Sequence, residues 1–125
     1  MDLIERIKIG ARAARQTAVA CGSRSYVLQL PTQHELELAA ARKAAGEAGM
    51  VEFFRQQLER AVVEWSGITE GDFTGQAEQA APVPYSRELV PWLLDAQPAD
   101  AEQLRAALVE KLAERRARTE AAAKN

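Results

Sequence analysis

Residues Met50 to Trp65 constrain the fold of this chain more than any other segment. Met50, Phe53, Phe54, Leu58, Ala61, Val62 and Trp65 recur at three- and four-residue steps, while Glu52, Arg55, Gln56, Glu59 and Arg60 fill the positions between them. That period belongs to a helix with one apolar and one charged face, so the spacing predicts a helix across the whole segment. An apolar stripe of this breadth has to be covered, and the rest of the chain must supply the cover.

The cover should also be helical. With 47% hydrophobic residues, many of them Ala, and only 6% aromatic, the balance suits helices better than sheets. A length of 125 residues fits one domain around one core. Thr32-Gln33-His34-Glu35 has the form of a capping box and predicts a helix start. Small residues follow on the face predicted to be buried, with Leu36, Ala39, Ala40, Lys43 and Ala44, and Gly46 and Gly49 mark the end. Ser86 can cap a short helix carrying Leu89, Val90, Trp92, Leu93 and Leu94, in which Pro91 forces a kink or a fresh start. Asp100 reads as the cap of a last helix, with Gln103 at the third position and Leu104, Leu108 and Leu112 repeating every fourth residue.

Three segments read less regularly. Asp2 to Ala20 places Leu3, Ile4 and Ile7 at helical spacing, but beyond Gly10 only Ala and Val19 follow, which suggests a weak helix or a mobile arm. Ala11, Ala13, Ala14 and Ala18 do not supply the bulky apolar face of a membrane-surface helix. Ser25 to Leu30, closed by Pro31, suits one short strand, whose partner would come from residues 66–85 or from another subunit. Ser66-Gly67 opens an acidic, glycine-containing loop running to Pro84, long enough to be functional or mobile. The expectation is a mainly α protein, a small helical domain with at most a short N-terminal strand or hairpin. Residues 1–24 form a basic arm or weak helix, 25–112 the helical core, and 113–125 a charged tail that frays.

Charge and chemistry narrow the function. The net charge is −2, with +3 over residues 1–24, −7 over 50–102 and +3 over 103–125, so the chain lacks the dense basic footprint that nucleic acid demands. Arg115, Arg116 and Arg118 interleave with Glu110, Glu114 and Glu120, the pattern of a solvated helix. Cys21 is the only cysteine, which excludes an intramolecular disulfide and fits a reducing compartment. No apolar run approaches the roughly 18–20 residues that span a bilayer, and Glu5, Arg6, Lys8, Arg12 and Arg15 interrupt the stretch where a signal peptide needs its apolar centre. A cytoplasmic protein is expected. One Cys and one His, Cys21 and His34, build neither a catalytic triad nor a zinc site, and Thr69 to Thr74 lacks the ligand alternation of an EF-hand. Glu70 and Asp72 read as solvated turn acids, and no glycine pattern forms a phosphate cradle. No enzymatic activity, metal or cofactor is expected.

Two linked motifs suggest a class. Val62-Val63-Glu64-Trp65-Ser66-Gly67-Ile68 is followed by an acidic glycine loop and then by Pro82-Val83-Pro84-Tyr85-Ser86-Arg87-Glu88-Leu89-Val90-Pro91-Trp92-Leu93-Leu94. This arrangement resembles the tail assembly chaperones of long-tailed bacteriophages and prophages. In that family a helix ends in a Trp-x-Gly-aliphatic turn, and a proline-aromatic-Ser/Thr segment then opens a short Leu-rich helix. The extended Val27 to Leu30 before a Thr-capped helix is similar too, so the likeness covers residues 25–96. It implies a mostly helical, non-enzymatic protein that keeps the tape measure protein soluble and helps recruit tail tube protein, acts in the host bacterial cytoplasm, and is absent from the mature virion.

A tape measure is a long helical chain with exposed apolar seams, which a helical partner with an apolar groove and charged rim could cover. Trp65, Phe73, Tyr85, Trp92 and Leu93 are the candidate contacts with a protein partner, because aromatic residues give large contact area at low ordering cost. Ordinary core is the plainer reading of Phe53, Phe54 and Leu58, and it leads for Trp65 and Trp92 as well. A homo-oligomer also fits the pattern. The competing classes are a structural head–tail connector or tail-completion protein retained in the particle, and a small nucleic-acid-binding regulator using the basic termini.

Overall fold

Gly22 and Ser23 reverse the chain in a two-residue turn, with Gly22 at φ +65°, and that reversal creates the sheet on which the helices pack. The computed structural model describes residues 1–44, 46 and 49–124, and the side chains of all these except Met50 and Val51. Strands β1 (Gln16–Cys21) and β2 (Arg24–Gln29) pair antiparallel from Cys21↔Arg24 to Gln16↔Gln29. Strand β3 (Val62–Ser66) adds to the other side of β2, also antiparallel, giving the order β1-β2-β3.

The register shifts between Val27 and Leu28, where β2 faces β3. That irregularity explains a pattern strict alternation forbids. Val62 and Trp65 are three residues apart yet both buried, because the extra residue in β3 returns Trp65 to the core face.

Around the sheet the chain is mainly helical, 63% by residue, as its composition predicts. Helix α1 (Leu3–Ala14) begins at Asp2, whose carboxylate accepts the Glu5 amide at 2.8 Å. Helix α2 is Gln33–Ala44, and α3 is Met50–Ala61. A five-residue helix α4 (Glu70–Thr74) follows β3, and a 3₁₀ turn at Arg87–Leu89 leads into α5 (Val90–Ala96) and the 26-residue α6 (Pro98–Ala123). The core joins Tyr26, Leu28 and Leu30 of the sheet region to Leu58 and Ala61 of α3, Val90 and Leu93 of α5, and Leu104 and Leu108 of α6.

Several elements depart from expectation. Residues 16–21 are a strand rather than the end of a weak helix or arm; Thr17, Val19 and Cys21 turn inward while Ala18 and Ala20 face out. The helix predicted to reach Trp65 stops at Ala61, where β-branched Val62 and Val63 enter the sheet. The partners of the predicted strand lie on either side of it, in 16–21 and 62–66, and neither another subunit nor 67–85 is needed to pair it. Asp100 does not cap α6: Gln97 holds that position, and Asp100 lies inside the first turn. The predicted fraying tail is helix as far as Ala123.

At Thr32 the capping box is half formed. The Glu35 amide donates to the Thr32 hydroxyl at 3.1 Å, while the Glu35 carboxylate accepts from that same hydroxyl at 3.2 Å. Of the residues predicted to form the buried face of α2, Ala39 alone is fully buried. The side chain of Met50, the first member of the predicted stripe, lies outside the described residues.

The long acidic loop is built. Glu70 N–H donates to Ala81 O at 2.9 Å, Gly71 N–H to Gln79 O at 2.8 Å, and Val83 N–H to Ile68 O at 2.8 Å, so its two arms pair along their length. Gly67, at φ +74°, lies so close to the β1–β2 turn that a Cβ there would sit 2.2 Å from the Ser23 carbonyl oxygen. Gly67→Ala should therefore lower unfolding stability by more than about 2 kcal/mol in urea melts, since strain and a backbone clash add. Gly22→Ala has the same backbone sign but open space around it, and should cost only about 1 kcal/mol. Equal losses for the two would mean the close approach at Gly67 is wrong.

Candidate functional site

Arg24 leaves the hairpin turn at the start of β2 and reaches across to α6. Its Nε donates to Asp100 Oδ2 at 2.6 Å and its Nη2 to Asp100 Oδ1 at 3.1 Å, a two-pronged pairing that suits a planar guanidinium and a carboxylate. Nη1 donates to Asp72 Oδ1 of α4 at 3.1 Å, and the Tyr26 hydroxyl donates to Asp100 Oδ2 at 2.6 Å. Asp72 also accepts the Thr69 amide at 2.7 Å, so it is a fixed structural acid and not the solvated turn residue expected.

Burial pushes the Asp100 carboxyl up, but hydrogen bonds from Arg24 and Tyr26 and the charge of Arg24 bring it below its ordinary value. Burial, then the hydrogen bond to Asp100, drives the Tyr26 phenol well above its usual range. The Asp100 hydrogen bond holds Arg24 still more firmly protonated. Burial raises the Cys21 thiol, with Asp100 adding to the effect. Near neutral pH each group is thus fixed in one protonation state: the carboxylate ionised, the phenol and thiol neutral. The arrangement locks β2, α4 and α6 together.

The candidate contact residues divide sharply. Trp65, Phe73 and Tyr85 form an edge-to-face cluster, with ring centroids 6.3 Å apart for Trp65–Phe73 and 5.0 Å for Trp65–Tyr85. Trp65 Nε1 donates to Val83 O and Tyr85 OH to Val62 O, each at 2.9 Å. Arg87 lies over the same edge and donates to Arg60 O at 3.0 Å and Val62 O at 3.2 Å, satisfying carbonyls left open where α3 ends. Leu93 is sealed in the core. Trp92 alone stands open, 69% exposed, where core was the plainer expectation.

A groove of about 410 Å³ runs between α3, α5 and α6, walled by Phe54, Leu58, Pro91, Leu94 and Ala101. Charges rim it: Arg55 pairs with Glu59 at 3.1 Å, Arg105 pairs with Glu102, and Asp95 stands beside them. Trp92 follows the groove residue Pro91 on α5, but it is not itself part of the groove's lining. Leu3, Ile4 and Ile7 of α1 form a second open apolar stripe. His34 is exposed in the first turn of α2. Among the described residues no group of three His, Cys, Asp or Glu gathers at metal-binding distance, and no helix is long and apolar enough to cross a membrane.

Sequence reasoning passed over Arg24 and Asp100, 76 residues apart, and Phe54 and Leu94 as groove walls. No local motif announces the first pair, while the second pair was hidden within ordinary apolar stripes. No family model, curated protein or solved structure matches the chain.

Asp100→Ala removes the two-pronged partner of Arg24, which keeps Asp72, and strips the Tyr26 hydroxyl of its acceptor, so it should cost about 2 kcal/mol in chemical unfolding, whereas Arg105→Ala, at an exposed pair, should be barely measurable. Because the folded Asp100 carboxyl lies below its unfolded value of about 3.9, its contribution is complete above that pH and is lost as pH falls toward the folded value. Asp100→Asn should therefore flatten the acid limb of stability against pH; an unchanged limb would remove Asp100 as its source. The Cys21 thiol, buried and raised, should resist iodoacetamide until the protein unfolds, and rapid native-state labelling would contradict its placement.

Proposed function

We propose that this protein is a non-enzymatic assembly chaperone for the tail of a long-tailed phage or prophage, covering an apolar helical stretch of the tape measure protein until the tail is built. The observation that carries the reading is the open groove between α3, α5 and α6, on a molecule whose α5 also exposes Trp92. An apolar trough with charged rims suits an amphipathic helix, which lays one stripe along the floor and leaves its polar flanks in water. An exposed indole is the type of anchor that dominates binding energy at helical interfaces.

The resemblance to tail assembly chaperones supplies the client. Of its two motifs, residues 82–94 carry the chain into α5 and contribute Pro91 and Leu94 to the groove, while residues 62–68 form β3 and its exit, outside the groove's lining. Trp65 and Tyr85, prominent in those motifs, are consumed internally by bonds to the Val83 and Val62 carbonyls, which leaves Trp92 to meet the client. Recruitment of tail tube protein would follow once the client is held, in the bacterial cytoplasm, with the chaperone released before the virion is complete.

Co-expression with a tape measure protein from the same phage or prophage should raise that protein's soluble yield. Trp92→Ala should leave the chaperone folded and weaken the purified complex by more than about tenfold. A folded chaperone that gives no rescue would sink the proposal, as would its presence in fixed copy number in purified virions.

A further inference from the structure

On the other side of α3 lies a second hollow, of about 460 Å³, with the opposite electrical character. Arg12 and Arg15 come to it from the end of α1, Arg42 from α2 and Arg60 from α3, and Glu35 is the one acid among the described residues of its lining. Among the described residues none of these four arginines forms an ion pair. Arg15 is held in place by donating to Leu30 O at 3.0 Å. Arg115 of α6 donates to Pro31 O at 2.6 Å but lines a different depression, with Gln33 and Leu36. In a chain of net charge −2, drawing this many cations around one depression costs mutual repulsion that a bound anion would relieve. Guanidinium forks match the oxygen pairs of carboxylate and phosphate.

The floor decides between those anions. Leu30, Ala39 and Ala61 are buried beneath the arginines, and Leu38 stands half open beside them, so the hollow offers apolar contact as well as charge. Among the described residues no aromatic side chain lines it to stack a base, whereas its apolar floor suits the aliphatic side chains of a peptide. We infer that this hollow binds an acidic segment of another protein, its carboxylates paired with Arg12, Arg42 and Arg60 and its aliphatic side chains set on the Leu30–Ala39–Ala61 floor. The site is separate from the groove between α3, α5 and α6, and it stands or falls apart from the tape measure assignment.

Fluorescence anisotropy of the full-length protein with a fluorescein-labelled twelve-residue peptide of repeating Glu-Glu-Leu provides the test. Saturable binding is expected that weakens with added salt, falls at least tenfold in the Arg42→Gln/Arg60→Gln double variant, and is unchanged in Trp92→Ala. Both arginines are exposed, so native circular dichroism is expected of the double variant. The inference is overturned if that folded variant binds as tightly as the parent, or if a peptide with Gln in place of every Glu binds equally well. Equal affinity for a twelve-nucleotide single-stranded DNA would also overturn it, since the hollow would then be reading charge alone. The two ligand comparisons use the unaltered protein and decide the matter even if the double variant does not fold.

Discussion

The pairing of Arg24 with Asp100 is the contact on which the arrangement of this fold depends. It ties the first strand after the hairpin turn to the first turn of the last long helix, and through Asp72 it takes in the loop between them. Removing two charges from water is costly, so such a pair contributes less to net stability than its short distances suggest. Its effect here is geometric. A two-pronged guanidinium–carboxylate contact, reinforced by the Tyr26 hydroxyl, admits one orientation of α6 against the sheet. Gln97 Nε2 adds a bond to Asp72 O at 2.8 Å, so the entry to α6 is held from both its backbone turn and its first buried acid.

That fixed frame accounts for the division of labour among the aromatic residues. With α4 and the 67–85 loop anchored through Asp72 and Gly67, Phe73 and Tyr85 are delivered onto Trp65 from opposite arms of the loop. The cluster is then spent internally, with its polar atoms satisfied by Val83 and Val62 carbonyls. Trp92 stands open because α5 turns Val90 and Leu93 inward, and of the two residues between them Pro91 is half-buried in the groove wall while Trp92 faces out.

How far the sequence disclosed this depended on whether a signal was local. The α3 stripe, the Thr32–Glu35 cap and the Leu104–Leu108–Leu112 ladder each lie within a few residues, and each led to the right element. Strand β1 escaped because Ala18 and Ala20 occupy its outward positions and Ala carries little strand preference, although Gly22-Ser23 between two alternating runs was a usable hairpin signal. Strand β3 escaped because Ala61, Val62 and Trp65 satisfy a helical period as well as a bulged strand. Asp100 escaped for a different reason. An acid shortly after a proline fits a cap, and only a partner 76 residues away reveals that it is buried instead. Of the five candidate contacts, composition could mark all as strong anchors but could not say which of them the fold would consume.

Charge placement follows the same logic at a larger scale. Along the sequence the basic ends flank an acidic middle, yet the folded molecule does not simply alternate the two. The chain leaves α1 with Leu30 N–H donating to Arg15 O at 2.7 Å and the Arg15 guanidinium returning to Leu30 O, a reciprocal pair that holds the end of α1 against the end of β2. This brings Arg12 and Arg15 beside Arg42 and Arg60, while Arg115 of α6 reaches Pro31 at the next residue along. Cations from α1, α2 and α3 thus gather on one side of α3, and the apolar groove with its mixed rim occupies the other. Because one helix backs both depressions, a ligand that shifted α3 while settling into either would be felt at the other. A rigid α3, held at its C-terminal carbonyls by Arg87, instead keeps them independent, and the bonds from Arg87 to the Arg60 and Val62 carbonyls favour that arrangement.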